Sequence, residues 1–310
     1  MAVAIEELRR SMRQEFVLNR TPLVTRTYLE AFEGSAFDPA DLGTLFHENS
    51  KYVAGRMGTP RRSVAEFETA AMAYTQAMIG PDYPGHALID LPEPAALDEA
   101  SLGAVLRNRR SVGRFGEGSL ANHTLATMLG AACGVTGSLA IGHETLDSTL
   151  AKPLRAYPSA GGLYPVECYL LVLSGAELPT GCYYYVPDRH ALRVLRSDDQ
   201  LPAAVDRAIV GLGDAGRPSV LVVLTAALWR AMAKYGPRGY RYILKESGHL
   251  AQNLLLVAAA LDLVSLPVGG FYDDAVNDLL DIDGVNEAAV YAIAVGQPAD
   301  DESRGVADGR

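Results

Sequence analysis

The segment Tyr240–Leu263, YRYILKESGHLAQNLLLVAAALDL, constrains this chain more than any other. Its spacing predicts one long helix, and after Leu250 that helix is apolar nearly all round. Such a helix has no polar face to turn toward water, so it cannot lie on the surface of a monomer. It must be central, either enclosed by its own chain or buried in part against a second subunit.

The layers around it are readable in the extended runs. VLVVLTA and VYAIAVG lack strict apolar and polar alternation, as strands covered on both faces do. ECYLLVL reads as a further strand, and YYYVPDRHALRVL as a hairpin around Pro187 and Asp188. Ser101–Arg110 and Thr124–Cys133 read as helices, and LPVGGF as a glycine turn after the long helix. The fold class expected is α+β, a central sheet with helices packed over it, without internal repeats.

Residues 1–95 look helical and more polar, through IEELRRSMRQEF, DPADLGTLFHENSKY and SVAEFETAAMAYTQAMI. The four prolines and two glycines of GPDYPGHALIDLPEPAALDEA suggest a linker. The expected organisation is a helical N-terminal region over 1–95, for docking or dimerisation, and a second domain over 96–310.

With 37 acidic against 27 basic residues, the net charge of -10 opposes a nonspecific grip on nucleic acid or an anionic membrane. A small molecule or another protein is the partner to expect. No run approaches the roughly 18 apolar residues of a membrane helix, and the N-terminus lacks the apolar centre of a signal peptide. Both point to a cytoplasmic protein. The three cysteines, Cys133, Cys168 and Cys182, have no metal-ligand or redox spacing, so they are read as reduced, buried small residues.

Three segments could carry chemistry. Arg107–Phe115, RNRRSVGRF, places four arginines and a serine at the exit of a helix, a donor set that suits a phosphate or simply a solvated helix end. Tyr157–Glu167, YPSAGGLYPVE, gathers small residues before a buried strand, where main-chain N–H groups could approach a planar ligand or a tight loop could simply turn. Pro267–Phe271, PVGGF, repeats the Gly-Gly theme. None matches GxGxxG or GxxxxGKS, which argues against a Rossmann site or a P-loop.

The order of these segments resembles the nitroreductase-like flavin enzymes, and more narrowly the SagB/McbC-type dehydrogenases that oxidise azolines. The resemblance spans roughly residues 100–298. It rests on RRS at Arg109–Ser111, PSAGGLYP at Pro158–Pro165, KYGPRGYRYILKESGHLAQNLLL at Lys234–Leu256, and LFHENSKY at Leu45–Tyr52. The resemblance implies a mainly antiparallel sheet flanked by helices, a long central dimer helix, and FMN at a homodimer interface.

It also implies roles. Arg109, Arg110 and Ser111 would hold the phosphate. Pro158, Ser159, Ala160 and Gly162 would lie along the flavin ring, with a Gly269 or Gly270 N–H toward flavin N5. Many relatives carry a second basic residue where this chain has Gly113, which shifts the expected phosphate grip toward Arg109 and a C-terminal arginine such as Arg304. Lys234 and Tyr235 match the family's catalytic pair. Lysine becomes a useful base when burial or a neighbouring cation lowers its pKa from about 10.4. Without the resemblance, the pair reads as a surface lysine before a loop tyrosine.

The activity implied is oxidation of thiazolines or oxazolines to thiazoles or oxazoles, with dioxygen as final acceptor. The substrate would be a modified peptide, ribosomal or carrier-bound, with a cyclodehydratase as partner. The competing expectations are a nicotinamide-dependent nitro or quinone reductase and a flavin-free scaffold subunit. Glu246 and His249, three residues apart on the long helix, are expected to form a buried hydrogen-bonding couple rather than a metal pair. No metal is expected.

Overall fold

The computed structural model describes residues 42–51, 80–141, 150–212 and 216–299. The helices expected over IEELRRSMRQEF and SVAEFETAAMAYTQAMI lie outside the described residues, as does Arg304. The chain divides into two compact units, 1–59 and 60–310. In the first, α1 (Leu42–Asn49) carries part of the LFHENSKY motif, and Ser50 closes it by donating its hydroxyl to the Phe46 carbonyl.

The second unit begins with a short strand, β1 (Leu88–Asp90), followed by α2 (Leu102–Asn108) and α3 (Asn122–Cys133). A separate hairpin pairs β2 (Val135–Ile141) with β3 (Leu150–Arg155). The chain then makes a 3-10 turn at Ala160–Gly162 and enters β4 (Val166–Val172), β5 (Gly181–Val186) and β6 (Ala191–Ser197). After α4 (Leu201–Ala208) and β7 (Val220–Ala227) come α5 (Leu228–Tyr235) and α6 (Arg238–Ala260). The unit closes with β8 (Val264–Val268), α7 (Asp273–Leu280) and β9 (Glu287–Gly296).

Seven strands form one sheet in the order β1-β6-β5-β4-β7-β9-β8, and every strand pair in it is antiparallel. β4 and β7 are buried at every residue, because helices cover both faces. Along β4, Cys168, Leu170 and Val172 join the core under α3 and α6, while Tyr169 and Leu171 join the core under α4 and α7. This explains why the central strands read as continuous apolar runs.

α6 buries Ile243, Glu246, Ser247, Leu250, Ala251, Leu254, Leu255 and Ala258, a helical stripe packed within its own chain. That packing accounts for most of its apolar character without a second subunit. The helix runs from Arg238 to Ala260, beginning and ending before the expected Tyr240 and Leu263, and Gly236 with φ 58° and Pro237 separate it from α5. Gly239 then lets the two helices touch: a Cβ there would come within 2.8 Å of the Ala231 backbone.

Two segments differ from their sequence reading, and both lie at sheet edges. The stretch expected to be a linker carries β1, hydrogen-bonded to β6, and its Tyr83 hydroxyl meets that of Tyr169 at 2.5 Å. The first half of LPVGGF is strand: β8 runs through Pro267 and ends at Val268, before Gly269. An edge strand tolerates a proline because one side of its backbone has no partner strand to serve.

Candidate active site

The PSAGG turn is held from beneath. Ser159 donates its hydroxyl to Glu246 Oε2 at 2.5 Å and accepts the Tyr164 N–H at 2.9 Å. Glu246 also accepts the Val166 N–H at 3.4 Å. Burial raises the Glu246 carboxyl to about pKa 7, although the Ser159 and Val166 hydrogen bonds pull it down. His249 is exposed and takes no part in this arrangement, so the expected Glu246–His249 couple does not form. Glu246 instead points from the buried stripe of α6 to the turn and the start of β4.

The turn requires its glycines. Gly161 and Gly162 have φ of 64° and 59°, in the left-handed region where a Cβ is unfavourable. A Cβ on Gly161 would lie 2.5 Å from Tyr235 Oη and 3.3 Å from Lys234 Nζ. One on Gly162 would lie 2.9 Å from Lys152 Cε. The small residues therefore make room for protein side chains, and Gly161 and Pro158 remain exposed at the crest.

α5 is aimed at the turn by a buried ionic network. Arg230 donates to the Tyr164 carbonyl and, at 2.5 Å, to Glu167 Oε1. Glu167 also accepts from the Tyr184 hydroxyl at 2.9 Å and lies 3.9 Å from the buried Arg155 guanidinium. Arg155 in turn donates to the Tyr157 hydroxyl and stacks over the Tyr164 ring. One helical turn beyond Arg230, Lys234 and Tyr235 meet Gly161. The Tyr235 ring packs edge-on against Tyr242, 5.1 Å between centroids, and burial followed by Tyr242 raises its hydroxyl pKa. Tyr235 therefore offers an O–H donor at neutral pH rather than a phenolate.

Sequence reading missed Lys152, Arg155, Glu167 and Arg230. Lys152, only 4% exposed, donates to the Gly161 carbonyl at 2.7 Å. Desolvation and then the charge of Lys234 lower its pKa to about 8. A charged residue inside an otherwise apolar strand approach, as Glu167 is before CYLLVL, was the available signal.

The arginine segment sits elsewhere on the fold. Ser111 forms a parallel bridge with Ser265, and the Val112 N–H donates to the Ser265 carbonyl at 3.0 Å, which covers the open edge of β8. Arg109 Nη1 reaches Ser111 Oγ at 3.4 Å, whereas Arg110 donates to the Arg107 and Arg109 carbonyls and caps the end of α2. Gly269 directly follows β8, and a Cβ there would meet nothing within 4 Å. Gly270 accepts the Val210 N–H through its carbonyl. Among the described residues, no hydrogen bond joins Arg109, Arg110 or Ser111 to the PSAGG turn.

Residues 106–297, which include most of this sheet and the buried helix, match the family described as the nitroreductase family. The chain belongs to the nitroreductase family. Within it, the chain is 32% identical over 198 residues to a Methanocaldococcus jannaschii protein named as a nitroreductase, MJ1384, covering 63% of this chain and 89% of that one. It is also 32% identical over 155 residues to the microcin B17-processing protein McbC of Escherichia coli. That alignment covers 48% of this nitroreductase-family chain and 56% of McbC, so the chain spans little more than half of that relative. Among solved structures, a chain of the E. coli microcin synthetase McbBCD complex with truncated pro-MccB17 bound superposes with a TM-score of 0.52 at 25% identity. The superposition covers 85% of this chain and 95% of that one. These similarities make the chain a SagB/McbC-type member of the nitroreductase superfamily. Among the described residues, no helix is long and apolar enough to cross a membrane.

Proposed function

We propose that this chain is an FMN-dependent oxidoreductase that converts a thiazoline or oxazoline of a modified peptide into the aromatic azole. The observation that carries the reading is the convergence of Lys234 and Tyr235 on the exposed Gly161 crest. Aromatising an azoline removes a hydride and a proton from adjacent ring atoms, and a lysine paired with a protonated tyrosine suits the proton.

The residues present fit FMN. Arg109 and Ser111 offer a guanidinium and a hydroxyl to a phosphate, and the Gly269 backbone borders open space just past β8, the strand that Ser111 bridges. Ser159, Ala160 and Gly162 present a small-residue surface to a planar ring. When bound, FMN supplies the hydride acceptor, which dioxygen then restores. Lys234 takes the proton, while Tyr235 orients the reacting ring through its O–H. A second copy of the chain would complete the site, since the arginine segment and the PSAGG turn are anchored to different parts of the fold.

The similarity to McbC and to the McbBCD complex supports a peptide substrate and a cyclodehydratase partner. Lys234→Ala and Tyr235→Phe should retain the yellow flavin and lose azole formation, read by mass spectrometry as the missing loss of two hydrogens. Wild-type rates in both variants would refute the base assignment. The similarity to MJ1384 favours a second reading, a nicotinamide-dependent nitro or quinone reductase. Rapid bleaching of the bound flavin by NADH or NADPH would select it.

A further inference from the structure

A strand with a free edge presents a row of backbone donors and acceptors, and proteins usually cover, shorten or charge such edges. The main sheet follows that rule: Ser111 and Val112 cover β8 at one end, and β1 at the other is only three residues long. The β2–β3 hairpin does not. β2, VTGSLAI, has no charged residue and no proline, and residues 135–140 are all exposed. Among the described residues, no backbone group of 135–141 is hydrogen-bonded to anything but β3.

Pro153 decides which of these groups face outward. It stands opposite Ser138 and, having no N–H, cannot exchange the two bonds of a hydrogen-bonded pair. Ser138–Pro153 is therefore a non-hydrogen-bonded pair, and by alternation so is Ala140–Ala151, whereas Leu139 bonds across to Lys152. Arg155 keeps the same phase, since its N–H turns away from β2 to the Tyr164 hydroxyl at 3.0 Å. The N–H and C=O groups of Ser138 and Ala140 thus point away from the hairpin, at the spacing that another extended main chain presents.

The same register ties this edge to the site. Residues opposite one another share a face, so Leu139 lies on the face of the hairpin from which Lys152 reaches the Gly161 carbonyl. Lys152 is 4% exposed and Leu139 55%, which leaves an apolar side chain open beside the support of the turn.

We propose that β2 is the docking edge for the peptide substrate: an extended segment adds as a third strand of the hairpin, bonds the backbone of Ser138 and Ala140, and sets one residue against Leu139. The proposal rests on the reading of a peptide substrate given above and states how that peptide is held. Neighbouring strands lie about 4.8 Å apart, so the added segment runs roughly 10 Å from the backbone of Lys152, and its alternate residues face the side on which the turn lies. Strand addition takes its affinity from the main chain, and β2 has no charge to pair with, so the occupant it favours is an uncharged extended segment.

The test uses the full chain as purified and a short fluorescein-labelled peptide of glycine, serine and valine with one central thiazole, read by fluorescence anisotropy. Ala140→Pro deletes one outward N–H and leaves the bonds to β3 in place. Binding should weaken about three- to tenfold, the worth of one hydrogen bond, while the thermal midpoint stays near that of wild type. Ala140→Val keeps the N–H and should bind as wild type does. Probes N-methylated at one alternate set of amides should lose binding to the wild-type chain, and probes methylated at the intervening set should keep it, a measurement that needs no variant to fold. Absence of binding by the unmethylated probe, equal loss from both methylated sets, or unchanged affinity in Ala140→Pro would overturn the proposal. So would a smaller oligomer in Ala140→Pro, which would assign the edge to a second copy of the chain. No turnover is involved, so strand addition can fail while azole formation stands, and azole formation by Lys234→Ala tests the other reading separately.

Discussion

Glu246 gives the most exacting test of how the turn is built. Its carboxyl is 2% exposed and titrates at about 7, against 4.5 for an unburied glutamate. Because the folded-state value is raised, the folded protein keeps the proton between these two pH values while the unfolded chain has lost it. The stability linked to Glu246 is therefore fully present below about pH 4.5 and is lost as pH rises through about 7. The difference corresponds to roughly 3 kcal/mol. Glu246→Gln cannot ionise and should escape that loss, less about 1 kcal/mol for a poorer hydrogen bond to Ser159. At pH 8 the variant should be about 2 kcal/mol more stable than wild type, or about 4–8 °C higher in Tm for a domain of this size. At pH 5 the advantage should vanish. Denaturant and thermal melts of both proteins across that range measure the difference, in which the shared titrations of other groups cancel. A variant no more stable than wild type at pH 8, with an unchanged pH slope, would refute the account of a carboxyl whose burial outweighs its hydrogen bonds and the charge of Arg155.

Three further outcomes follow from the same geometry. Gly161→Ala should cost about 1–2 kcal/mol for the left-handed backbone alone, and its Cβ, 2.5 Å from Tyr235 Oη, should displace that ring. Azole formation should then fall more than stability does, as activity assays beside melting curves would show. Glu167→Gln leaves Arg155 and Arg230 without their carboxylate and should destabilise by about 3–5 kcal/mol in chemical denaturation. Ser159→Ala removes the hydrogen bond that lowers the Glu246 carboxyl, so Glu246 should titrate still higher, observable by carboxyl NMR.

The parts of this molecule that announce themselves in sequence are those where burial is two-sided. β4, β7, β9 and α6 are readable because both faces of the sheet and most of the helix are apolar, and no polar pattern competes. The β2–β3 hairpin lacks that signature. Residues 135–140 are exposed, Pro153 interrupts the strand pattern, and the buried Lys152 looks like a surface residue. α5 follows β7 directly, Ala227 to Leu228, with no turn residue to mark the change of period.

The same contrast governs the site. The PSAGG turn stood out in the sequence by its run of small residues, whereas Lys234 and Tyr235 drew attention only through the family resemblance. What the sequence could not display is that Gly161 and Gly162 are shaped by protein side chains as well as by any ligand. Residue order separates Lys152 from Lys234 by a strand, a turn, most of the sheet and a helix, and only the fold brings both to the Gly161–Gly162 turn. Lys234 itself is half-exposed at the end of α5, whereas Lys152 is buried under the turn. The turn at the centre of the site is therefore held from the hairpin strand that is hardest to read from sequence.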